Sequence, residues 1–364
     1  MRALVFAFLA SCIPAALFAQ ATPPVVGAVQ TKDPFVKATA DEAVRQLANK
    51  LADNFVFPEK GDAYAVMLRA NLAAGKYASF ADSQSFADAV TDDLQAIHKD
   101  GHLRVQVVPT SAQSGPGGKA QQGEPRRGPP PTLNAISKSG WIGDGVAYIR
   151  FEGFPGTEAT MAALREFIAA HKDAKSLIID ARTHRGGGLA EMDVLFPELY
   201  AEPTVLVGMD TRIAVAERDG DSFEEASTRK IAGPAGVYRQ EHFVTPTASP
   251  RGLASARVYL LTANRTASAG EHLALSLKRT KRATLIGETT RGAGHYGGLE
   301  PLDQSFTYAA FIPVGRTFDP DTGEGWEGVG VKPHVEVPAD KALDEALKLA
   351  GVNVSGEEAL AQLK

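Results

Sequence analysis

The sequence predicts an α/β protein in which a small helical bundle is followed by a layered domain of alternating strands and helices. Residues 41–98 repeat apolar side chains at helical spacing, as Leu47 and Leu51 do, and contain no β-rich run. From Gly140 onward, short apolar runs such as Ser176–Asp180 alternate with helical patterns. This alternation favours a sheet whose strands pair largely in parallel, because each helix carries the chain back across the sheet.

The elements can be assigned in order along the chain. We expect three helices between Asp41 and His98, and then a strand over 102–108 that leaves the bundle. In the layered domain we expect strands at 145–151, 176–180, 258–262, 283–287 and 335–337. The helices of that domain are expected at 158–171, from about 189, at 268–279 and at 341–349.

Differences in composition predict the domain organisation. Residues 1–21 begin with a short basic region, continue as an apolar run too short to span a bilayer, and end in small residues, which is the pattern of a cleaved signal peptide. Residues 34–104 are expected to form the helical domain and residues 140–350 the layered one. Residues 111–131 lack large apolar side chains and are rich in Gly, Pro, Gln and Arg, which is typical of a flexible linker.

The signal peptide predicts a periplasmic or secreted protein. The one cysteine, Cys12, lies inside it, so the mature chain is expected to hold neither a disulfide nor a transmembrane segment. Residues 9–12 also resemble a lipoprotein cleavage box, which leaves anchoring through a lipid as an alternative. The 38 basic and 43 acidic side chains give a net charge of −5, which offers no electrostatic argument for nucleic acid as a partner.

Two loops at strand ends carry residues from which a site could be built, because ligands in α/β sheets bind beyond the carboxyl ends of the strands. After strand 176–180, three consecutive glycines expose backbone N–H groups, among them Gly186 and Gly187. After strand 258–262, Ser268 falls at the start of a helix, where the N–H of Ala269 could stabilise an oxyanion. A serine at this position is also a common helix N-cap, and the glycines alone could form a tight turn.

Four separated motifs, in order along residues 35–350, resemble those of the S41 peptidases, the family of tail-specific or C-terminal processing proteases. They are Lys99-Asp100-Gly101-His102-Leu103, Asp180-Ala181-Arg182 with its trailing glycines, Asn264 to Glu271 with Gly287-Glu288-Thr289-Thr290-Arg291-Gly292, and Glu327-Gly328-Val329-Gly330-Val331-Lys332-Pro333. The first is similar to the branch that contains tricorn core proteases and the modules of interphotoreceptor retinoid-binding protein. The resemblance implies a ClpP/crotonase-like catalytic domain.

The resemblance also implies a mechanism. One branch of the family uses a Ser–Lys dyad, but Ala293 stands at the lysine position, so the tricorn-like arrangement is expected instead. That arrangement assigns Ser268 as the nucleophile, His102 as the general base and then acid, and Glu327 as the group that orients the imidazole.

The oxyanion hole is expected to be formed by the N–H groups of Gly187 and Ala269. Gly186 and His295 are expected to border the substrate, although packing alone would equally explain His295. The tricorn-like relay has a serine before its histidine, and Gly101 stands there in this chain. The link between the glutamate and the imidazole is therefore expected to be direct, or to pass through water or another hydroxyl.

The other histidines are weaker candidates. His272 lies one helical turn after Ser268 and is an alternative base. His184 could border the site, and His98, His171 and His242 are expected to be solvated. Neither a His-Glu-x-x-His pattern nor a Walker loop is present, so we expect no metal and no other cofactor.

We therefore predict an exported serine peptidase that acts on peptide or protein substrates. Residues 111–131 stand where some family members insert a PDZ domain but are too few to form one, so the cleft itself must select the substrate. The alternative, from a different class, is a non-catalytic binding module for small hydrophobic ligands on the same fold. A hydrolase of non-peptide esters or amides is a third hypothesis.

Overall fold

A computed structural model of the protein describes residues 33–108, 132–220, 226–247 and 252–363. The predicted signal peptide (1–21) and linker (111–131) lie outside the described residues. The domain boundaries therefore stay predictions. None of the described helices combines the length and the apolarity needed to cross a bilayer.

The first helices form where the apolar spacing predicts them. They are α1 (Lys37–Asn54), α2 (Pro58–Ala73) and α3 (Ser83–Ile97). The Asp82 carboxylate caps α3 by accepting the N–H of Ser85 at 2.7 Å. The buried helix faces share one hydrophobic core with strand β1 (Val105–Val107) and with residues 302–312. The helical segment is thereby packed onto a sheet rather than closed on itself.

The other described elements follow in chain order. The strands are β2 (Ile136–Gly143), β3 (Val146–Phe151), β4 (Ser176–Asp180), β5 (Thr204–Arg212), β6 (Thr228–Ile231), β7 (Val237–Val244), β8 (Arg257–Thr262), β9 (Ala283–Gly287), β10 (His295–Pro301), β11 (Tyr308–Phe318) and β12 (Val335–Glu336). The helices are α4 (Glu158–Ala170), α5 (Ala190–Leu199), α6 (Ile213–Asp219), α7 (Gly252–Ser255), α8 (Ala269–Arg279), α9 (Ala342–Ala350) and α10 (Gly356–Ala361), with a 3₁₀ turn at Ala339–Lys341.

The predicted layered sheet is present, with strand order β12-β9-β8-β4-β3-β2. All neighbouring pairs are parallel except β2 and β3. Asp180 pairs with Leu261 at the carboxyl ends of β4 and β8, so the loops that follow these two strands leave the sheet side by side. This register brings the glycine loop and the Ser268 turn together.

A second sheet, antiparallel throughout, corrects the expectation of largely parallel pairing. Its order is β1-β11-β5-β7-β6, and β10 also pairs with β11. Its strands carry charged residues that pair within the sheet, as when Arg239 donates to Asp210 at 2.6 and 2.8 Å. Such strands lack a continuous apolar run, so the local sequence pattern did not predict them. Their pairing was also hidden, because β1 and β11 lie some 200 positions apart in the chain.

Candidate active site

Ser268 lies at the sharp turn that joins β8 to α8, as the sequence predicts. Its φ of 54° and ψ of −118° place it in a region of backbone space that residues with a side chain rarely adopt. Thr266 braces the turn, because its hydroxyl donates to the carbonyl of Ala181 at 2.8 Å and accepts the N–H of Ala263 at 3.0 Å. Strained residues held in this way cluster at functional sites.

A buried carboxylate, that of Glu271, ties the serine to a second loop. It accepts the backbone N–H groups of Ser268, Gly292 and Ala293 at 2.9, 2.6 and 2.8 Å. The hydroxyl of Thr290 donates to it at 2.6 Å. Burial raises the pKa of Glu271, although these donors oppose the shift. The carboxylate thus fixes the Ser268 turn against residues 290–293.

The glycine loop after β4 packs directly against Ser268. Gly186 and Gly187 have φ values of 110° and 136°, a region that favours glycine. A Cβ on Gly186 would lie 2.9 Å from the Cβ of Ser268, and one on Gly187 would lie 2.0 Å from the carbonyl oxygen of Phe154. A larger residue would therefore crowd the serine at the first position and clash with the backbone at the second.

Two backbone N–H groups beside the serine, those of Gly187 and Ala269, make no hydrogen bond within the described ranges. The N–H of Gly186 is engaged instead, because it donates to Nδ1 of His184 at 3.1 Å. Unpaired N–H donors next to a serine hydroxyl are the requirement for an oxyanion hole.

Ser268, Gly187 and Ala269 line one small pocket with a volume of about 40 Å³. Its walls come from the antiparallel sheet, from the start of α8 and from the loops around them. The side chains that complete it include Met209, His272, His295, Thr317 and Trp326.

His102, the expected base, lies among carboxylates and outside the lining of that pocket. The side-chain oxygens of Asp100 and Glu327 and a ring nitrogen of His102 lie within 4.8 Å of one another. The ring stacks on Phe311 with centroids 4.8 Å apart, and its Nδ1 is buried without a partner among the described residues. Burial lowers the pKa of His102 to about 4, so the imidazole is neutral at neutral pH.

His295 lines the Ser268 pocket and is held there by a buried aspartate. Its Nδ1 lies 2.7 Å from Oδ2 of Asp100. The other oxygen of Asp100 accepts the backbone N–H groups of His102 and Leu103 at 2.8 and 2.9 Å. Burial opposes the negative charge of Asp100, but the His295 hydrogen bond and the backbone donors outweigh it and lower its pKa.

Glu327 joins the two histidine segments through the backbone. Its carboxylate accepts the N–H groups of Gly101 and Gly294, both at 2.5 Å, and that of His295 at 2.9 Å. Burial and the nearby Asp100 carboxylate raise the pKa of Glu327. The spacing of the Asp100, His102 and Glu327 cluster would admit a metal ion, but both carboxylates already accept three hydrogen bonds. We therefore interpret the cluster as a hydrogen-bond network.

A steric constraint explains why Gly101 stands in place of the relay serine. A Cβ on Gly101 would lie 2.9 Å from the carbonyl oxygen of Gly292 and 3.3 Å from the Cβ of Ala293. The loop that holds alanine in place of lysine therefore occupies the space in which the serine side chain would begin.

Four of the remaining histidines are buried, and two of these correct the expectation of solvated rings. His171 and His242 are 6% and 1% exposed. His184 is fully buried, and its pKa is lowered to about 3 by that burial. His272 is also buried, and its Nε2 lies 2.8 Å from Nδ1 of His242. The simple expectation failed because an isolated histidine in a polar segment gives no local sign of the sheet that covers it.

An ion cluster at the end of β4 stabilises the point at which the glycine loop begins. The Asp180 carboxylate accepts hydrogen bonds from the Tyr148 hydroxyl at 2.6 Å and from the guanidinium groups of Arg150 and Arg182. Burial alone would raise the pKa of Asp180. The charges and hydrogen bonds of Arg182 and Arg150 and the hydrogen bond of Tyr148 outweigh this effect and lower the pKa to about 2. Arg182 also donates to the carbonyl of Ala339 at 2.7 Å, which fixes the closing segment of the chain.

Sequence reasoning did not assign roles to Asp100, Glu271 or Trp326. The Ser-x-x-Glu spacing of Ser268 and Glu271 is the signal of a capping box, and it could have identified the glutamate. An aspartate that precedes a turn often accepts the N–H two residues later, as Asp100 does from His102. No local signal marks Trp326, whose place is set by tertiary packing.

A layered α/β domain with a strained serine at a strand–helix turn, next to unpaired N–H donors and two imidazoles, is the architecture of a serine hydrolase as a class. A family model described as Peptidase family S41 matches residues 145–337, and one described as the N-terminal domain of Peptidase_S41 in eukaryotic IRBP matches residues 35–136. The chain belongs to peptidase family S41. It is therefore a serine-type peptidase, and the predicted family is confirmed.

Solved structures show the same fold. A candidate peptidase from Parabacteroides merdae is 15% identical, with a TM-score of 0.54 over 89% of this chain and 96% of that one. A lipoprotein from Streptococcus agalactiae is 13% identical, with a TM-score of 0.52 over 86% and 97%. A photosystem II D1 C-terminal processing protease is 15% identical, with a TM-score of 0.50 over 83% and 94%. These likenesses confirm the predicted fold class.

Proposed function

We propose that the protein is an exported peptidase in which the Ser268 hydroxyl attacks the carbonyl carbon of a peptide bond. The observation that carries this proposal is the strained Ser268 turn. It shares a pocket with the N–H groups of Gly187 and Ala269, which have no partner in the described part of the chain. These two donors would bind the carbonyl oxygen as it becomes an oxyanion, and each such donor contributes about 3 kcal/mol to transition-state stabilisation.

The attack needs a base, and we assign that role to His102. A serine hydroxyl is a weak nucleophile until a neutral imidazole removes its proton. The lowered pKa of His102 keeps its ring in the neutral form, and the neighbouring Glu327 carboxylate would stabilise the imidazolium that forms. The same imidazolium would then protonate the leaving amine, and water would hydrolyse the acyl-enzyme by the reverse sequence of proton transfers.

In the described part of the chain, no hydrogen bond joins the Ser268 hydroxyl to the imidazole of His102 or of His295. To act as the base, the ring of His102 would therefore have to leave Phe311 when substrate binds. His295 is the competing base, because it shares the pocket with Ser268 and its Nδ1 is already bound to Asp100. An imidazole that donates from Nδ1 to a buried carboxylate is the usual partner of a catalytic serine.

The nucleophile can be tested by labelling with a fluorophosphonate probe, which reacts covalently with activated serines. We expect labelling of the mature protein and none of Ser268→Ala, with kcat/KM for peptides reduced at least about a thousandfold in that variant. Persistent labelling of Ser268→Ala would overturn the assignment of the nucleophile.

The two imidazoles can be separated by comparing His102→Ala with His295→Ala in the same peptide assay. We expect His102→Ala to lose activity by orders of magnitude, whereas His295→Ala should change KM more than kcat. A larger loss of kcat in His295→Ala would transfer the role of base to His295. Turnover of peptides against matched esters in the same assay tests the hypothesis of an esterase.

Export rests on the pattern of residues 1–21, which predicts removal of the leader near Ala19 or Ala21. The N-terminal sequence of the protein purified from its native host would test this. The binding-module alternative gains no support from the Ser268 pocket, because about 40 Å³ is far below the several hundred Å³ of sites for sizeable apolar ligands.

A further inference from the structure

Besides His295, two buried rings with polar atoms line the pocket beside Ser268 and take no part in the proposed mechanism. One is the imidazole of His272, which is 4% exposed and lies one helical turn after Ser268. The other is the indole of Trp326, which is 3% exposed. Buried polar groups that line a pocket determine which ligand atoms can bind there, because leaving them unpaired costs free energy.

His272 is the inner end of a chain of hydrogen bonds. Its Nε2 lies 2.8 Å from Nδ1 of His242, and Nε2 of His242 lies 3.1 Å from Oδ1 of Asp193. His242 is 1% exposed, whereas the Asp193 side chain is 23% exposed, and both residues line a second pocket. The chain therefore runs from the surface through a buried ring to the pocket of Ser268.

The Asp193 carboxylate determines which ring nitrogen carries the hydrogen in His242 and, through it, in His272. A carboxylate only accepts, so Nε2 of His242 carries the hydrogen and its Nδ1 is left as an acceptor when the ring is neutral. Nε2 of His272 must then donate to that Nδ1, which leaves Nδ1 of His272 as a bare acceptor. Among the described residues, the hydrogen bond to His242 is the only one that the His272 ring makes, so this nitrogen has no partner there.

Trp326 supplies the complementary group. Its Nε1 is buried and has no hydrogen-bond partner among the residues that the structure describes. A Cβ on Gly294 would lie 3.3 Å from this nitrogen, so the indole nitrogen lies beside another residue that lines the pocket. An indole N–H can only donate.

The two rings lie close enough to contact one small group. Their centroids are 6.4 Å apart, and both residues line the same pocket. The pocket volume of about 40 Å³ has room for only a few non-hydrogen atoms. A hydroxyl both donates and accepts, so it would satisfy His272 and Trp326 together.

We propose that this pocket is the subsite for the side chain on the acyl side of the cleaved bond, and that it selects serine or threonine there. The proposal rests on the proposed function, because it takes Ser268 as the nucleophile and the adjacent pocket as the place nearest the attacked carbonyl. The hydroxyl of the substrate donates to Nδ1 of His272 and accepts the Nε1 hydrogen of Trp326. His242 and Asp193 act as positioning residues, since they hold His272 in the accepting form.

The test is a series of fluorogenic peptides that are identical except for the residue on the acyl side: Ser, Thr, Ala, Val, Leu and Phe. We expect kcat/KM for serine or threonine to exceed that for alanine at least about tenfold, because alanine would leave both rings unpaired. Leucine and phenylalanine should be cleaved more slowly than alanine, since they exceed the pocket.

Variants show whether the rings cause the preference. Trp326→Phe keeps an aromatic ring but removes the N–H, and His242→Phe removes the acceptor that fixes His272. We expect the serine-to-alanine ratio to fall towards one in both variants, and to stay at the wild-type value in His171→Phe. His171 is the matched control, because it is also buried but binds the carbonyl of Phe167 and lines no part of the pocket.

A readout independent of turnover is the tautomer of His272, which nitrogen-15 NMR of the histidine-labelled protein reports. We expect hydrogen on Nε2 in the wild type and a mixture of tautomers in Asp193→Asn or His242→Phe. Equal rates for the serine and alanine peptides would refute the selectivity, and this is the result expected if the pocket merely holds water. A serine-to-alanine ratio that is unchanged in Trp326→Phe and His242→Phe would refute it too. Neither result would contradict Ser268 as the nucleophile, provided that the probe still labels it. A chain that cleaves no peptide of the series and takes no probe would overturn the proposed function as well.

Discussion

Gly101 illustrates how the absence of one side chain can fix the geometry of a site. The residue has no Cβ, so the backbone of Gly292 and Ala293 can approach it closely, and its N–H reaches Glu327 at 2.5 Å. A serine in this place would begin inside the space of that loop. Ala293, which stands at the lysine position of the other branch, is 2% exposed and lies against the segment that carries His102.

We expect Gly101→Ser to lower the free energy of unfolding by about 1–3 kcal/mol, the usual cost of forcing atoms into packed space. We also expect kcat/KM to fall, because the segments of His102 and Glu327 must move apart. Urea denaturation and peptide kinetics would measure both effects. Gly298→Ser is the matched control, because a Cβ there meets nothing within 4 Å. Unchanged stability with raised activity would contradict this account of the missing relay serine.

At the residue scale, the lowered pKa of His102 also predicts how the activity depends on pH. Only the neutral ring can remove the serine proton, so activity falls as pH drops through the pKa of the base. Because burial lowers that pKa to about 4, the acid limb of kcat/KM should lie well below the ordinary histidine value of about 6.5. A pH–rate profile of the free enzyme measures it. A limb centred near 6.5 would point away from a buried His102 as the base.

At the scale of elements, the site depends on two neighbouring parallel strands that end at the same level. Strand β4 leads into the glycine loop, and β8 leads into the Ser268 turn. The Asp180 cluster at the end of β4 fixes this level, because its carboxylate binds side chains from β3 and from the residues after β4. The loop above it can therefore hold Gly187 in place against Phe154.

We expect Asp180→Asn to destabilise the protein by about 3–5 kcal/mol, since it leaves the guanidinium groups of Arg150 and Arg182 with an uncompensated charge in a largely buried place. Urea denaturation would measure this loss. Asp144→Asn is the control, because its ion pair with Lys175 is exposed and should contribute less than about 1 kcal/mol. Equal effects of the two substitutions would mean that the Asp180 cluster does not hold the strand end.

At the scale of the whole molecule, buried neutral histidines should make the fold sensitive to acid. The folded pKa of His184 is about 3, against about 6.5 when unfolded. Below pH 6.5 the unfolded chain takes up a proton that the folded chain excludes, so this contribution is present above pH 6.5 and is lost as the pH falls towards 3. His102 and His272 have lowered pKa values and act in the same direction.

We expect His184→Asn to reduce the slope of the free energy of unfolding against pH between about 6.5 and 3, because asparagine keeps an acceptor for the Gly186 N–H but does not titrate. Urea denaturation at a series of pH values would measure the slope in both proteins. The same slope in the variant and the wild type would show that His184 does not carry the effect.

The elements that could be predicted are those whose signal is local. The amphipathic helices, the apolar strands of the parallel sheet and the Ser268 turn all lie close to their predicted places. The antiparallel sheet was missed, and so was the burial of His171 and His242. Each depends on a partner far along the chain, as when His242 on β7 meets His272 on α8.

The sequence by itself determined the S41 family, the parallel sheet and the segments on which the proposed catalytic residues lie, because motifs and hydrophobic periodicity are properties of neighbouring residues. Only the tertiary structure decided that Asp100 holds His295, that Glu327 joins two backbone segments, and that His272 and Trp326 line the pocket beside the serine. Those contacts bring together groups separated by tens to hundreds of residues, and their geometry follows from the packing of two sheets that no local pattern records.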